Sequence, residues 1–490
     1  MTDLSDVAIF ENAAVDALKR LRSHIENAEA GISPATGYAP MREILETLKV
    51  EEYLQKGGMD QKAFNAFLEN YLKHSVQLHN PAFIAHQVSV PDYPSALANL
   101  VNGVMNNPMA IYEMGPAAAS LEFRVVNWML EKIGWTQEPM PDTVDEHTQR
   151  SSHGSGVLVH GGSIANLTAM LAARARIAPN AWVNGTPDDL VVLAPKVSHY
   201  SIERAVAILG MGSKSIYHLE VDAFGVVDAT QLEQGLQKVQ ADGKRCMAVI
   251  ANASSTATGL HDPIRAMGEF CVKHKLWLHV DACHGASALM AEKSRRYLDG
   301  IELADSVVWD AHKMMQVSVL CAALLVRNAK DLDAAFHQDA HYLAHGENNE
   351  GYDSIQRAIE CTKSSLSLKI FLNLAWRGEK ALGDFVDERY AITKKFYQQI
   401  KTRKNFLCPY EPETNILCFR YQGPDGLASD ELQQKIRNLM VYRKIFHITS
   451  AIVNGTRYLR ITVMNKLTNE QTIKKLLDTI ESVAEELSLA

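Results

Sequence analysis

Seven short, apolar, β-rich runs punctuate residues 150–330, and helical patterns fill several of the gaps between them. The runs are Gly156–His160, Leu190–Ala194, Ser215–Leu219, Met247–Ala251, Leu276–Val280, Ser306–Trp309 and Leu320–Val326. The helical stretches include Ala165–Ile177, Ile202–Leu209 and Ile264–Lys275. Strands separated by helices predict an α/β domain whose mainly parallel sheet is covered on both faces. A sheet of that kind binds ligands outside the carboxyl ends of its strands.

Two of those ends carry unusual chemistry. Leu276–Val280 leads into Asp281, followed by the small residues Ala282, Gly285 and Ala286. Ser306–Trp309 leads into Asp310, His312 and Lys313. A carboxylate and a lysine delivered to one place are what a pyridoxal-phosphate site needs. The lysine forms the Schiff base and the acid keeps the pyridine nitrogen protonated.

The flanks divide the 490 residues further. Residues 1–80 form an N-terminal helical arm in pattern (Val7–Ile25, Pro40–Leu54, Asp60–Leu78), suited to packing on a neighbour or a partner subunit. Residues 81–400 make the large domain, with a plain helix at Ala117–Lys132 and a long one expected at Ser364–Lys380. Residues 401–490 make a small C-terminal α/β domain, with strands at Ile416–Tyr421 and Tyr458–Val463 and a last helix at Asn469–Leu487.

Composition excludes several classes. A net charge of −8 without a basic stripe gives no footprint for nucleic acid. No stretch approaches the ~20 apolar residues of a membrane span. The N-terminus lacks the apolar core of a secretory signal. Seven scattered cysteines, odd in number and without a CxxC pair, fit reduced thiols in a cytoplasmic enzyme.

Several short motifs gain meaning only from their setting. His160-Gly161-Gly162-Ser163 joins a strand to a helix expected to begin near Ile164. Its glycines and the natural N-cap Ser163 suit a phosphate, or an ordinary tight turn. His199 follows a strand and is placed either to lie over a flat ring or to cap a helix. Asn252–Gly259 is a hydroxyl-rich turn that local sequence leaves open. His279, Asp281 and His284 have a spacing that tempts a metal assignment. Strand alternation puts the first two on one face, but no fourth ligand of matching type stands nearby, so no metal is expected.

Taken in order, GGSIANL, SHYSIERA, HVDACHG and DAHKMM resemble the pyridoxal-phosphate-dependent group II amino-acid decarboxylases, from about residue 75 to the C-terminus. That family includes the glutamate, cysteine sulfinate, aromatic amino acid and 2,4-diaminobutyrate decarboxylases. The resemblance implies the aspartate-aminotransferase-like fold (fold type I), pyridoxal 5'-phosphate as cofactor, and a homodimer with active sites at the interface. It also implies roles. Lys313 would be the Schiff-base lysine, Asp281 the partner of the ring nitrogen, and His199 the residue stacked on the ring. Gly162, Ser163 and His312 would hold the phosphate, with Ala282 packed near the ring. Tyr342, in FHQDAHYLAHG, would be the tyrosine of a catalytic loop that returns a proton after carbon dioxide leaves. Gln87 and His86 would read the substrate side chain, and Arg460 would meet a substrate carboxylate or serve the fold.

The chain departs from the family where Ser254-Ser255-Thr256 replaces a Gly-Thr-Thr turn, which leaves the cofactor contact of Thr256 open. The implied reaction is α-decarboxylation of a small polar L-amino acid to its amine. Acidic substrates (glutamate, aspartate, cysteine sulfinate) and 2,4-diaminobutyrate both stay open. The Asp–Lys pair alone would equally fit an aminotransferase, an aldolase or a non-catalytic cofactor binder. His312-Lys313 and the Tyr342 segment favour the decarboxylase.

Overall fold

The computed structural model describes residues 6–141, 152–336, 351, 353–423, 426 and 429–489. Among these, seven strands form one sheet: β1 (Ser155–Val159), β2 (Leu190–Pro195), β3 (Ile216–Leu219), β4 (Arg245–Asn252), β5 (Trp277–Asp281), β6 (Ser306–Trp309) and β7 (Ala322–Val326). Their order is β1-β7-β6-β5-β4-β2-β3. From β3 to β6 every pairing is parallel. Strand β7 alone is reversed, antiparallel to both β6 and β1. This is the α/β, fold-type-I architecture expected from the alternation of runs.

The strands read as unbroken apolar runs because β1, β2, β5, β6 and β7 are buried along their whole length. A sheet covered on both faces has no solvent side to demand alternation. The helix Gly162–Ile177 turns a face of small residues inward, including Ala165, Ala169, Ala172 and Ala173. Small side chains let its backbone approach the sheet closely, and Met170, Leu190 and Val192 fill the space between. Fully burying a side chain of that size contributes roughly 1.5–3 kcal/mol.

The sheet belongs to a compact unit of Pro91–Ala391 with Pro412–Thr414. Met1–Val90, Ile392–Glu411 and Asn415–Ala490 form a second unit. Its antiparallel sheet comprises β8 (Phe406–Leu407), β9 (Ile416–Tyr421), β10 (Thr449–Val453) and β11 (Thr456–Thr462), in the order β10-β11-β9-β8. Phe396, Phe419, Phe446 and Ile480 lie at its core. The N-terminal segment joins this unit directly. Ile84 N–H donates to the His447 carbonyl over 3.0 Å, and Thr462 N–H donates to the Ile84 carbonyl over 2.8 Å.

Three expectations change. Pro40–Leu54 is not one helix but two, Met41–Thr47 and Val50–Lys56, broken where Lys49 takes a left-handed φ of 52°. The long helix expected at Ser364–Lys380 is Ser367–Arg377, ended by Gly378 at φ 79°, with Glu379–Lys401 following. Ser163 is not the cap of its helix. Gly161 holds that position at φ 110°, which a residue with a Cβ rarely adopts, and Ser163 lies inside the first turn.

Candidate active site

Strands β5 and β6 are parallel neighbours, with Asp281 opposite Val308. Their carboxyl ends therefore bring Asp281 and the loop after Trp309 together. A cavity of about 110 Å³ opens there. Of the residues expected at a cofactor site, Gly162, Ser163, His199, Thr256, Asp281 and Lys313 all line it. Asn252, Ser254, Cys283, His284 and Asp310 line it as well.

Lys313 Nζ stands 3.1 Å from Asp310 Oδ2. Burial pushes the ammonium down, but the carboxylates of Asp310 and Asp281 outweigh it and hold the lysine above its ordinary value. Asp281 is the mirror case. Burial pushes its carboxyl up, yet the Cys283 thiol, the fields of His279 and Lys313, and the Asn166 side-chain amide (3.0 Å) together hold it below the usual carboxylate range. Asp281 is thus an ionised acceptor, the state needed to keep a proton on a pyridine nitrogen. His199 is pushed down chiefly by burial, and Lys313 adds to that. Its Nδ1 accepts from Ser201 N–H at 3.3 Å, so the imidazole is neutral.

The residues fit pyridoxal phosphate on three structural counts. A Cβ on Gly162 would meet Cys283 Sγ and, at 3.0 Å, Asp310 Oδ1, so this position leaves room for a ligand only as glycine. The helix Gly162–Ile177 opens with the Gly162 and Ser163 amides, ahead of Ile164 and Ala165 whose N–H groups donate to the Gly161 carbonyl, and a helix end of this kind suits a phosphate. Ser254 Oγ is buried at the cavity without a hydrogen-bond partner among the described residues, a position that a bound polar group would satisfy.

Other expected residues sit elsewhere. His312 does not line the cavity. Its Nδ1 lies 2.7 Å from the Cys321 carbonyl oxygen and 3.2 Å from the Cys321 amide nitrogen. Ala282 is fully buried, with its N–H on the Val280 carbonyl. In the second unit, Arg460 is buried and donates from Nη1 to the Ala85 carbonyl and to Thr449 Oγ1, both at 3.3 Å. His86 meets the His447 ring edge-on at 5.4 Å, and Gln87 Nε2 is buried without a hydrogen-bond partner among the described residues. Tyr342 lies outside the described residues.

Sequence reasoning missed Asn166 and Ser201. Asn166 is fully buried in the middle of an alanine-rich helix face, and its amide bridges Ser201, Asp281 and His279. The available signal was its position: the inward face of the helix that follows the Gly161-Gly162 turn. The nitrogens of His279 go to Ser306 Oγ (2.7 Å) and Asn166 Oδ1 (2.9 Å), which gives that histidine a role in the protein's own network.

Comparison with known proteins agrees with this geometry. A family model described as the pyridoxal-dependent decarboxylase conserved domain matches residues 49–422. The chain is 27% identical over 467 residues to acidic amino acid decarboxylase GADL1 of Mus musculus, covering 92% of this chain and 82% of that one. It is 28% identical to the cysteine sulfinic acid decarboxylase of Homo sapiens over 451 residues, 89% and 88% of the two chains. It is 24% identical to the L-2,4-diaminobutyrate decarboxylase of Acinetobacter baumannii over 505 residues, 99% and 94%. The crystal structure of mouse CSAD in apo form shares the fold, with a TM-score of 0.86 at 24% identity over 98% of this chain and 99% of that one. The family match spans most of the chain and the cavity presents the lysine, carboxylate and glycine turn that the cofactor requires. The chain therefore belongs to the pyridoxal-dependent decarboxylases, as a group II amino-acid decarboxylase that uses pyridoxal phosphate.

Proposed function

We propose that this decarboxylase acts on a small acidic L-amino acid of the glutamate, aspartate or cysteine sulfinate class, releasing carbon dioxide and the corresponding amine. The observation that carries the choice is the naming of relatives for acidic amino acids and for cysteine sulfinate, at 27% and 28% identity over most of both chains. The amide of Gln87 and the guanidinium of Arg460, which the family resemblance puts forward as substrate readers, would complement a carboxylate or sulfinate and disfavour the second ammonium of 2,4-diaminobutyrate.

Bound pyridoxal phosphate supplies the sink for the electron pair left behind as carbon dioxide departs. The chain's own groups do the rest. Lys313 is the amine proposed to hold the cofactor's aldehyde carbon, and Asp310 is placed to govern its proton. Asp281 would accept a hydrogen bond from the protonated ring nitrogen, His199 would cover the ring with a neutral face, and the Gly162 and Ser163 amides, with the Thr256 hydroxyl, would hold phosphate or ring. Tyr342 is proposed to return one proton to the substrate carbon.

The working enzyme is further proposed to be a cytoplasmic homodimer. The helix Tyr93–Met105 exposes Leu97, Leu100, Val101, Val104 and Met105, an apolar face suited to a second copy. Among the described residues, no helix is long and apolar enough to cross a membrane.

A panel of L-amino acids assayed for carbon dioxide release, without added keto acid, tests the substrate. Turnover of glutamate, aspartate or cysteine sulfinate at least tenfold above 2,4-diaminobutyrate supports the proposal, and the reverse order overturns it.

A further inference from the structure

One continuous hydrogen-bond chain runs beneath the cavity. Trp277 Nε1 lies 2.8 Å from Ser306 Oγ, which lies 2.7 Å from His279 Nδ1. His279 Nε2 lies 2.9 Å from Asn166 Oδ1. Asn166 Nδ2 then forks, to Asp281 Oδ2 at 3.0 Å and to Ser201 Oγ at 2.8 Å. Ser201 Oγ ends the chain 2.7 Å from His199 Nδ1. Trp277, Ser306, His279, Asn166 and Ser201 are all buried.

The position of every proton in this chain follows from groups that have no choice. An indole N–H and a backbone N–H only donate, and an ionised carboxylate only accepts. Asp281 therefore requires the nitrogen of the Asn166 amide to face it, which turns Oδ1 toward His279 and places a proton on His279 Nε2. His279 Nδ1 is then bare and takes the Ser306 hydroxyl proton, while Ser306 Oγ accepts the indole N–H of Trp277. On the other branch, the second Asn166 N–H fills a lone pair of Ser201 Oγ. The Ser201 hydroxyl proton goes to His199 Nδ1, which also accepts the Ser201 backbone N–H at 3.3 Å. His199 carries its proton on Nε2.

We infer that Asn166 is a positioning residue whose single amide, set between Asp281, His279 and Ser201, couples the ionised Asp281 carboxylate to the Nε2–H tautomer of His279 and holds the Ser201 hydroxyl against His199 Nδ1. An amide does not titrate, so this chain transmits polarity and moves no protons. Protonating His199 at Nδ1 would aim an N–H at the Ser201 backbone N–H, so the arrangement keeps a second cation away from Lys313 and from the protonated ring nitrogen. The inference rests on the proposed cofactor roles of Asp281 and His199.

The test uses ring-15N-histidine NMR of the full-length, cofactor-free protein, with His199→Gln and His279→Gln supplying assignments, and cofactor titration by absorbance. In the wild type, both histidines should show a bare, hydrogen-bonded Nδ1 and a protonated Nε2. Ser201→Ala, which removes the hydroxyl but keeps the backbone N–H, should weaken the His199 Nδ1 hydrogen bond, shifting its 15N resonance, and lower pyridoxal-phosphate affinity about tenfold, and Ser201→Thr, which keeps the hydroxyl, should restore both. Asn166→Leu should disturb both histidines. A wild-type His199 with its proton on Nδ1, or one unmoved by Ser201→Ala and Asn166→Leu alike, overturns the inference while leaving the cofactor roles standing. Histidine resonances that respond as expected while cofactor affinity stays unchanged overturn the cofactor roles, and the positioning role with them.

Discussion

Lys313 Nζ lies 3.1 Å from Asp310 Oδ2, three residues earlier in the loop after β6. That carboxylate is the strongest influence raising the lysine against the opposing effect of burial. Because only the unprotonated amine attacks an aldehyde, Asp310→Asn should lower the pH at which the cofactor-free protein captures pyridoxal phosphate. A fall of about one pH unit corresponds to about 1.4 kcal/mol of lost charge interaction. The rate of growth of visible absorbance against pH measures it, and an unchanged midpoint would contradict the assigned pairing.

Lys313→Ala should abolish the visible absorbance of lysine-bound cofactor and reduce carbon dioxide release by about a thousandfold or more, the scale expected when a covalent catalytic group is lost. A yellow, active variant would show that another amine holds the cofactor.

Gly162→Ala adds one methyl group, aimed at Cys283 Sγ and the Asp310 carboxylate. Gly162 is a helical residue, so alanine suits its backbone and the cost falls on the cavity. The expected result is a folded protein, judged by circular dichroism, with cofactor affinity reduced about tenfold or more, equivalent to about 1.4 kcal/mol. Wild-type affinity in this variant would remove the glycine turn from the phosphate site.

Stability should depend on pH through His279. Burial lowers its folded-state pKa from 6.5 to about 4. Between those values the unfolded chain takes up a proton that the folded chain refuses. The contribution is therefore complete above about pH 6.5 and declines as the pH falls toward 4, by about 3 kcal/mol in all. Urea denaturation midpoints measured from pH 7 to 4.5 should fall less steeply for His279→Gln than for the wild type. Parallel curves would place the proton uptake elsewhere.

The parts of the fold that were legible in the sequence were those set by a single physical demand. Strands buried on both faces must be apolar throughout, which is why β1, β2, β5, β6 and β7 could be read from local runs, and a strand that ends at a ligand site shows its polar residue abruptly, as at Asp281 and after Trp309. Strand β10 was missed for the opposite reason. Thr449–Val453 is mostly half-buried or exposed and mixes Thr and Ser with its apolar residues. A signal was present even so: Asn454-Gly455 have φ of 46° and 76°, the geometry of a two-residue hairpin turn joining β10 to β11. The helix break at Lys49 leaves no mark in the apolar spacing. Asn166 was missed because its partners Asp281 and His279 lie 115 and 113 residues farther along the chain, so its place on an inward helix face marked it as buried without naming what it serves.

Strand β7 runs against its neighbour β6, so the segment bearing Asp310 and Lys313 is the tip of a local antiparallel pair. Asn166 and Asp281, by contrast, meet across 115 residues of chain. Contacts of long sequence separation form late, because loop closure must precede them. The expected consequence for refolding is that the lysine end of the cavity forms locally and ahead of the carboxylate end, which waits for the central strands to pair. Cofactor capture would then report the last stage of folding, and visible absorbance that grows before the central strands gain hydrogen-exchange protection would contradict that order.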